Sequence, residues 1–533
     1  MSNGDPRLDP PAMDGTHAHA FASHGTRVSA LARHYAASKP LRMSDKRVAG
    51  EHDAIQLIAH LQGVSEDPEF RANPDEQPSR LLIPATLRQL RAGEVGTGKD
   101  YDMALIGLMV VVYRYRNLLT QDDVDFILRE LVPPDLFGGH SRETEVLEVT
   151  FLQFDIPETE NHLLMIESSR YLVNQLLFNT TTSEKHDNVK NGLTGWLLGY
   201  LHRVTKHDFL EFNSRPYQRL ALHALLNLHE FARDESIRTA AQILLDYTMV
   251  KFAVSSNRQR RVGPFRRHQW KINHPDNEFN DLMAPRGDQV AKFFLAYTGP
   301  TDRDGRPTAF YPAAIVDSAL IAGLAAYRPP PAAYIIAMDR DRPAALHRFY
   351  HGTRPQLLAS ADVVDGGVEI YYSSPSFLLT AGGMFLNSGY GHDDLDVGKN
   401  AWEETCRAQA TTLLPTRSDV TFAGLIRFDP YPDPFDDPMR EDPPETFKGE
   451  AVNTGVHKGF ACGANLRTSD KSVFRDSSDR APALVSHADR LFLAWRGSSN
   501  EHLNVAKVVL FSDTGGPAGI QGIERLDSKV VLG

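Results

Sequence analysis

"NSRPYQRLALHALLNLHEFARDESIRTAAQILLDYTMVKFAVSS", residues 213–256, decides the fold. Its second half places Ile237, Ala240, Ala241, Leu244, Leu245, Thr248 and Phe252 at the spacing of one helical face. In its first half, Pro216 suits the opening turn of a helix, because its fixed φ is already helical. Asn213 or Ser214 can cap that turn. Two long helices separated by a short break form an antiparallel hairpin, and such hairpins stack in series.

The same texture runs outward from this hairpin. "HDAIQLIAHLQGV" aligns Ala54, Leu57, Ile58 and Leu61, and "TQDDVDFILRELV" puts Asp122 and Asp123 near a helix start, where the macrodipole favours acids. "TENHLLMIESSRYLVNQLLF", residues 159–178, is a further helix. Others are expected over 287–297, 311–327 and 341–350. Periodicity does not say whether the stack closes into a ring.

Three changes of texture divide the chain. Residues 1–44 contain "THAHAFASH", lack the charged and apolar regions of a signal peptide, and are expected to be a disordered tail. Residues 45–354 form the helical domain. Residues 355–467, with "GGVEIYYSSPSFLLTAGGMFLN", read as antiparallel β-sheet with long loops. From 468 to 533, "RLFLAWRGSSNEHLNVAKVVLF" reads as two strands around a Gly-Ser-Ser-Asn turn. "DKSVF" (470–474) returns faintly as "SKVVL" (528–532), the pattern of one propeller blade leading to the next. The fold class expected from these textures is multidomain, α then β: helical hairpins stacked in series, followed by an antiparallel β domain.

Bulk properties remove some functions. A net charge of −11 argues against a dedicated nucleic-acid binder, which needs a broad basic face. The most apolar run, Met103 to Tyr113, falls short of the roughly 20 residues of a membrane span. The only two cysteines, Cys406 and Cys462, form no disulfide framework and are expected to be thiols. Asp393, Asp394 and Asp396 make a possible calcium loop, but acidic turns are commoner, and no metal is expected.

Four segments carry candidate chemistry: Asn161 and His162; Glu211, Asn213 and Tyr217; the basic run Arg258, Arg260, Arg261, Arg266, Arg267 and His268; and His351 with Tyr350 and Arg354. Each has a plain structural reading too, as a helix cap, a core histidine, a rim tyrosine or a solvated basic loop. Together they suit β-elimination at a uronic acid. The C5 proton is not acidic while its carboxylate is ionised. An amide hydrogen bond or an arginine neutralises that carboxylate and stabilises the enolate-like intermediate. A His or Tyr removes the proton, and a Tyr protonates the leaving O4. Nearby positive charge would lower the phenol pKa. The step needs no metal or organic cofactor.

The run "ENHLLMIESSRYLVNQLL", followed by "EFNSRPYQRLALHALLNLHEFARDESIRTAAQILLDYTMVKFA", resembles the core of the (α/α)-toroid polysaccharide lyases, the alginate and glycosaminoglycan lyase group. The resemblance covers roughly residues 150–270. It implies that the helical domain is an α/α toroid, incomplete or closed, followed by an antiparallel β domain, that Asn161 neutralises the carboxylate, that His162 is or assists the base, and that Tyr217 is base or acid. It gives an arginine from 258–267, Arg261 or Arg266, the task of binding the anionic sugar. Glu211, Asn213, Arg258, Arg267, His268 and His351 are the further candidates for substrate contact. No second His/Tyr pair occurs at the spacing of the chondroitin-type lyases. The implied partner is an acidic polysaccharide and the implied setting extracellular. "RLFLAWRGSSNEHLNVAKV" resembles the repeats of lectin-like propellers. Two other functions stay open. A glycoside hydrolase would use two carboxylates about 5–10 Å apart, with Glu160, Glu167, Glu211 and Asp208 available. A non-catalytic carbohydrate-binding protein would use the C-terminal repeat.

Overall fold

The computed structural model describes residues 24–38, 41, 51–90, 102–132, 140–141, 146–149, 154–157, 160–209, 212–214, 217–261, 288–299, 316–339, 341–350, 354–355, 363–364, 368–382, 412–415, 426–427, 452–457, 460–465, 483–487, 490–496, 502–510 and 520–530. Statements below concern these residues.

The chain is mostly helical, with antiparallel sheet following the helices. The helices are α1 (His24–Ser38), α2 (Glu51–Glu66), α3 (Ser79–Gln89), α4 (Asp102–Arg114), α5 (Gln121–Phe126), α6 (Glu160–Thr181), α7 (Leu193–His207), α8 (Gln218–Phe231), α9 (Glu235–Ser255), α10 (Gln289–Thr298), α11 (Val316–Leu324) and α12 (Pro331–Met338). None is long and apolar enough to cross a membrane.

The helix start expected near Asp122 and Asp123 occurs, whereas α8 begins later than expected, at Gln218, with Tyr217 and not Asn213 or Ser214 in the N-cap position. Thr120 and Asp123 form a reciprocal capping box at α5. Ser214, rather than Asn213, serves the start of α8, its hydroxyl oxygen accepting from the Tyr217 N–H at 3.3 Å.

Helices α2, α4, α6 and α8 run parallel. At one end, Gly107 lets α4 approach Ala54 of α2, and Asp102 at the start of α4 meets His162 at the start of α6. Towards the other end, Tyr115 donates to Gln62 at 2.8 Å. There Tyr113 donates to the Leu172 carbonyl at 2.7 Å, and Gln175 donates to the Phe231 carbonyl at 3.1 Å. The rings of Tyr113 and Phe231 stack 4.9 Å apart. Helices α7 and α9 run the opposite way, both ending where α6 and α8 begin. Each of α2, α4, α6, α8, α10 and α11 packs on the next, and α11 meets α2.

Residues 24–38 correct the expected disordered tail. Val28, Leu31, Ala32, Tyr35 and Ala36 are buried at helical spacing, and α1 packs on α2, α10 and α11. Arg27 donates to the Tyr297 carbonyl at 2.8 Å, and His24 bonds the Gly323 carbonyl at 3.0 Å. His24 is thus a helix-packing residue. Burial, helped by Arg328, pushes its pKa down to about 4.

The short strands β1 (His140–Ser141), β2 (Val146–Val149) and β3 (Phe154–Pro157) pair within the stretch expected to be wholly helical. A second correction concerns 341–350. Residues Ala345–Tyr350 form strand β4, not a helix, and the β region begins before residue 355. Sheet pairing overrides a weak helical pattern here: β4 runs antiparallel to β7 (Val368–Ser373), with Phe349 opposite Glu369. After β5 (Arg354–Pro355) and β6 (Val363–Val364), the sheet continues through β8 (Phe377–Gly382), β9 (Thr412–Pro415) and β10 (Ile426–Arg427) in the order β10-β9-β8-β7-β4. The hairpin β11 (Val452–His457) and β12 (Phe460–Asn465) places Val456 against Ile370, Leu379 and Ala381. Finally, β13 (Ala483–His487), β14 (Arg490–Arg496), β15 (His502–Leu510) and β16 (Ile520–Val530) make a four-stranded antiparallel meander. That is the strand order of one propeller blade. The β14–β15 hairpin is the one its sequence announces; the earlier echo at 470–474 lies outside the described residues.

Candidate functional site

Candidate chemistry collects at the end where α4, α6 and α8 begin and α7 and α9 finish. Glu160 and Asn161 are buried in the first turn of α6. His162 beside them keeps a fifth of its side chain exposed, and its Nδ1 bonds Oδ2 of Asp102. The other carboxylate oxygen of Asp102 accepts the Met103 N–H at 3.0 Å. Asp102 therefore does two things at once. It offers negative charge to the positive end of α4 and fixes the imidazole's orientation. An aromatic pair borders this spot. Tyr200 donates to the Glu160 carbonyl at 2.8 Å and stacks on the half-buried Trp196, ring centres 5.3 Å apart.

Residues 208–217 connect α7 to α8. Asp208 and Asn213 both hold positive φ, 68° and 53°, which side chains other than glycine adopt at a cost. Both are held by partners. Lys251 of α9 donates to Oδ2 of Asp208 at 2.6 Å and also to Oε1 of Glu369 in β7. Tyr247 donates to the same Asp208 oxygen at 2.8 Å. Asn213 donates to Oε2 of Glu369 at 2.6 Å and to the Tyr371 hydroxyl at 3.0 Å, and Tyr371 itself donates to Glu369. The Lys251 ammonium also lies 5.6 Å from the Phe212 ring and 5.5 Å from that of Phe349. Asp208, Phe212, Asn213, Lys251, Glu369 and Tyr371 are all buried. Burial, then the negative charge of Glu369, raises the Tyr371 pKa far above that of a free phenol. Asp208 and Glu369 share one ammonium in a dry interior, so they do not flank an open cleft as a hydrolase pair must.

Tyr217 stands half-buried at the head of α8, at the same end as His162. The arginines need a correction. Arg261, chosen from sequence to bind the anionic sugar, is buried and forked onto Asp288, with Nε and a terminal nitrogen at 2.7 and 3.2 Å. Asp288 in turn accepts from Val290 and Ala291 at the start of α10. Arg261 is thus a structural cation, and Arg260 is buried too. Arg258 is different. It sits half-exposed at the tip of a turn closed by hydrogen bonds between Asn257 and Arg260 at 2.9 and 3.0 Å. Arg258 and Gln259 both take positive φ there, 51° and 60°, the requirement of a tight two-residue turn. Gln259 is anchored by Thr298, whose hydroxyl donates to it at 3.2 Å.

Glu211, Arg266, Arg267, His268 and His351 lie outside the described residues, as do Asp393, Asp394, Asp396 and Cys406. Among the described residues no group of three or more His, Cys, Asp or Glu side chains is placed to hold a metal.

Sequence reading missed Asp102, Lys251, Glu369 and Tyr371. Lys251 carried a signal, since it interrupts the apolar face between Thr248 and Phe252. Glu369 and Tyr371 carried a weaker one, alternating on one face of a strand. Nothing local to Asp102 announces His162, 60 residues away. Comparison of the chain with family models, curated proteins and solved structures returns no match.

Proposed function

We propose that this protein is a polysaccharide lyase that cleaves a uronate-containing polymer by β-elimination. The observation that carries the reading is His162, held by Asp102 next to the buried amide of Asn161, at the end of the bundle where Tyr217 also begins its helix. Asn161 neutralises the sugar carboxylate by hydrogen bonding, and the acidified C5 proton leaves to His162 or to Tyr217. With Nδ1 bound to Asp102, His162 exchanges protons through Nε2. Tyr217 returns a proton to O4. Arg258 takes the anion-steering role first given to Arg261, because it sits half-exposed at a turn tip. The half-exposed indole of Trp196 suits contact with a sugar ring at this end of the bundle.

The architecture proposed is a closed α/α toroid of the kind seen in the lyases that this sequence resembles. The packing order α2, α4, α6, α8, α10, α11 and back to α2 supports it, as do the return helices between them. An acidic polysaccharide partner and an extracellular setting follow from that resemblance.

The test is incubation of the purified protein with a panel of uronate polymers. Elimination produces an unsaturated uronate with ultraviolet absorbance, and His162→Ala and Tyr217→Phe each lower its rate by about 10²–10⁴. New reducing ends without that absorbance would mean hydrolysis. Saturable binding with neither product, unchanged in Tyr217→Phe, would mean a carbohydrate-binding protein.

A further inference from the structure

The loop that leads into Tyr217 is clamped at both ends by the same buried group, and half of that group comes from the sheet. At its beginning, Asp208 is held by Lys251 and Tyr247. Near its end, Asn213 is held by Glu369 and Tyr371. Glu369 joins the two ends, since it also accepts from Lys251. The next residue, Ser214, is buried and passes the constraint on. Its hydroxyl oxygen accepts from the Tyr217 N–H at 3.3 Å and its carbonyl from the Gln218 N–H at 3.1 Å. The two described residues of the loop with positive φ, Asp208 and Asn213, are the ones whose side chains are gripped. A grip on strained backbone is what keeps it from relaxing to an ordinary conformation.

We propose that Glu369, with Tyr371, is a positioning residue: from the β-sheet it sets the 208–217 loop and thereby the placement of Tyr217 at the head of α8. The sheet is then part of the working site and not a separate appendage. The catalytic consequence rests on the lyase reading above; the clamp itself does not. A buried carboxylate with three donors pins the loop more tightly than packing alone, because each partner fixes a direction as well as a distance. Proximity effects make such placement matter, as a displacement of about 1 Å can cost about 10²-fold in rate.

The experiment compares Asn213→Gly, Tyr371→Phe and Glu369→Gln with the wild-type full chain. Asn213→Gly is the sharpest, because glycine accepts the positive φ and removes only the side-chain grip. Hydrogen–deuterium exchange of the peptide covering 208–218 is expected to accelerate about tenfold or more in Asn213→Gly and Tyr371→Phe, with α6 unchanged. Turnover of the uronate polymer is expected to fall about 10–100-fold in kcat with KM little altered. Wild-type exchange in Asn213→Gly would overturn the proposal, and so would faster exchange with unaltered kcat in an active enzyme. A wild-type protein that eliminates nothing sinks the lyase reading alone, and the exchange data still judge the clamp. Should Glu369→Gln not fold, the other two variants decide.

Discussion

Lys251→Met tests the energetic reasoning behind the buried cluster. The ammonium bridges Asp208 and Glu369, and the side chains of Lys251, Asp208 and Glu369 are 4%, 4% and 0% exposed. Methionine matches the lysine stem in length, so the change isolates the charge. Two carboxylates are then left together without water. Breaking one side of a buried ion pair costs about 3–5 kcal/mol, most of it the penalty on the stranded partner. Against a denaturant slope of about 2 kcal/mol per molar urea, the midpoint should fall by about 2 M. The assay is urea unfolding followed by helical ellipticity, with limited proteolysis of the sheet as a second probe, since a chain of several domains need not unfold in one step. The triple variant Lys251→Met, Asp208→Asn, Glu369→Gln should recover at least half of the loss, because no charge remains buried. A single variant that loses less than about 1 kcal/mol would refute the argument. So would a triple variant no more stable than the single one.

Three further outcomes follow from particular contacts. His223 is fully buried in α8, and desolvation, with Arg219 second, pushes its pKa down to about 3. The unfolded chain takes up that proton near 6.5 while the folded one resists, so stability present above pH 6.5 is lost as pH falls, by about 3 kcal/mol at pH 4. His223→Leu should flatten that acid limb in denaturation series at pH 7 and pH 4. Arg261→Lys breaks the two-pronged contact with Asp288 and should cost about 1–3 kcal/mol of stability, while KM for an acidic oligosaccharide stays unchanged; a raised KM would return Arg261 to the substrate. Gly107→Ala would set a Cβ 2.5 Å from that of Ala54. Overpacking of this kind costs about 1–3 kcal/mol in thermal unfolding, and adding Ala54→Gly should relieve it.

Much of this molecule is written in short-range pattern. Helices α2, α5, α6, α8 and α9, the hairpin of α8 and α9, and the β14–β15 hairpin all follow from spacings within about twenty residues, and periodicity reports on that range. Helix α1 was missed, although Val28, Leu31, Ala32, Tyr35 and Ala36 stand at helical spacing, because a histidine-rich lead-in suggested a tail. Pairing Asn161 with His162 as a candidate site needed only the start of one helix. What the tertiary structure alone decided is which distant groups meet. Asp102 reaches His162 because two parallel helices start together, and Glu369 reaches Asn213 because a strand 156 residues later closes over a loop. Arg261 illustrates the limit most plainly. Its charge suggested a ligand, but a guanidinium is satisfied by the nearest carboxylate of suitable shape, and folding supplied Asp288 first. Local sequence sets backbone direction and which face is apolar; partner choice for a charged group depends on burial and distance, and these exist only once the chain has packed.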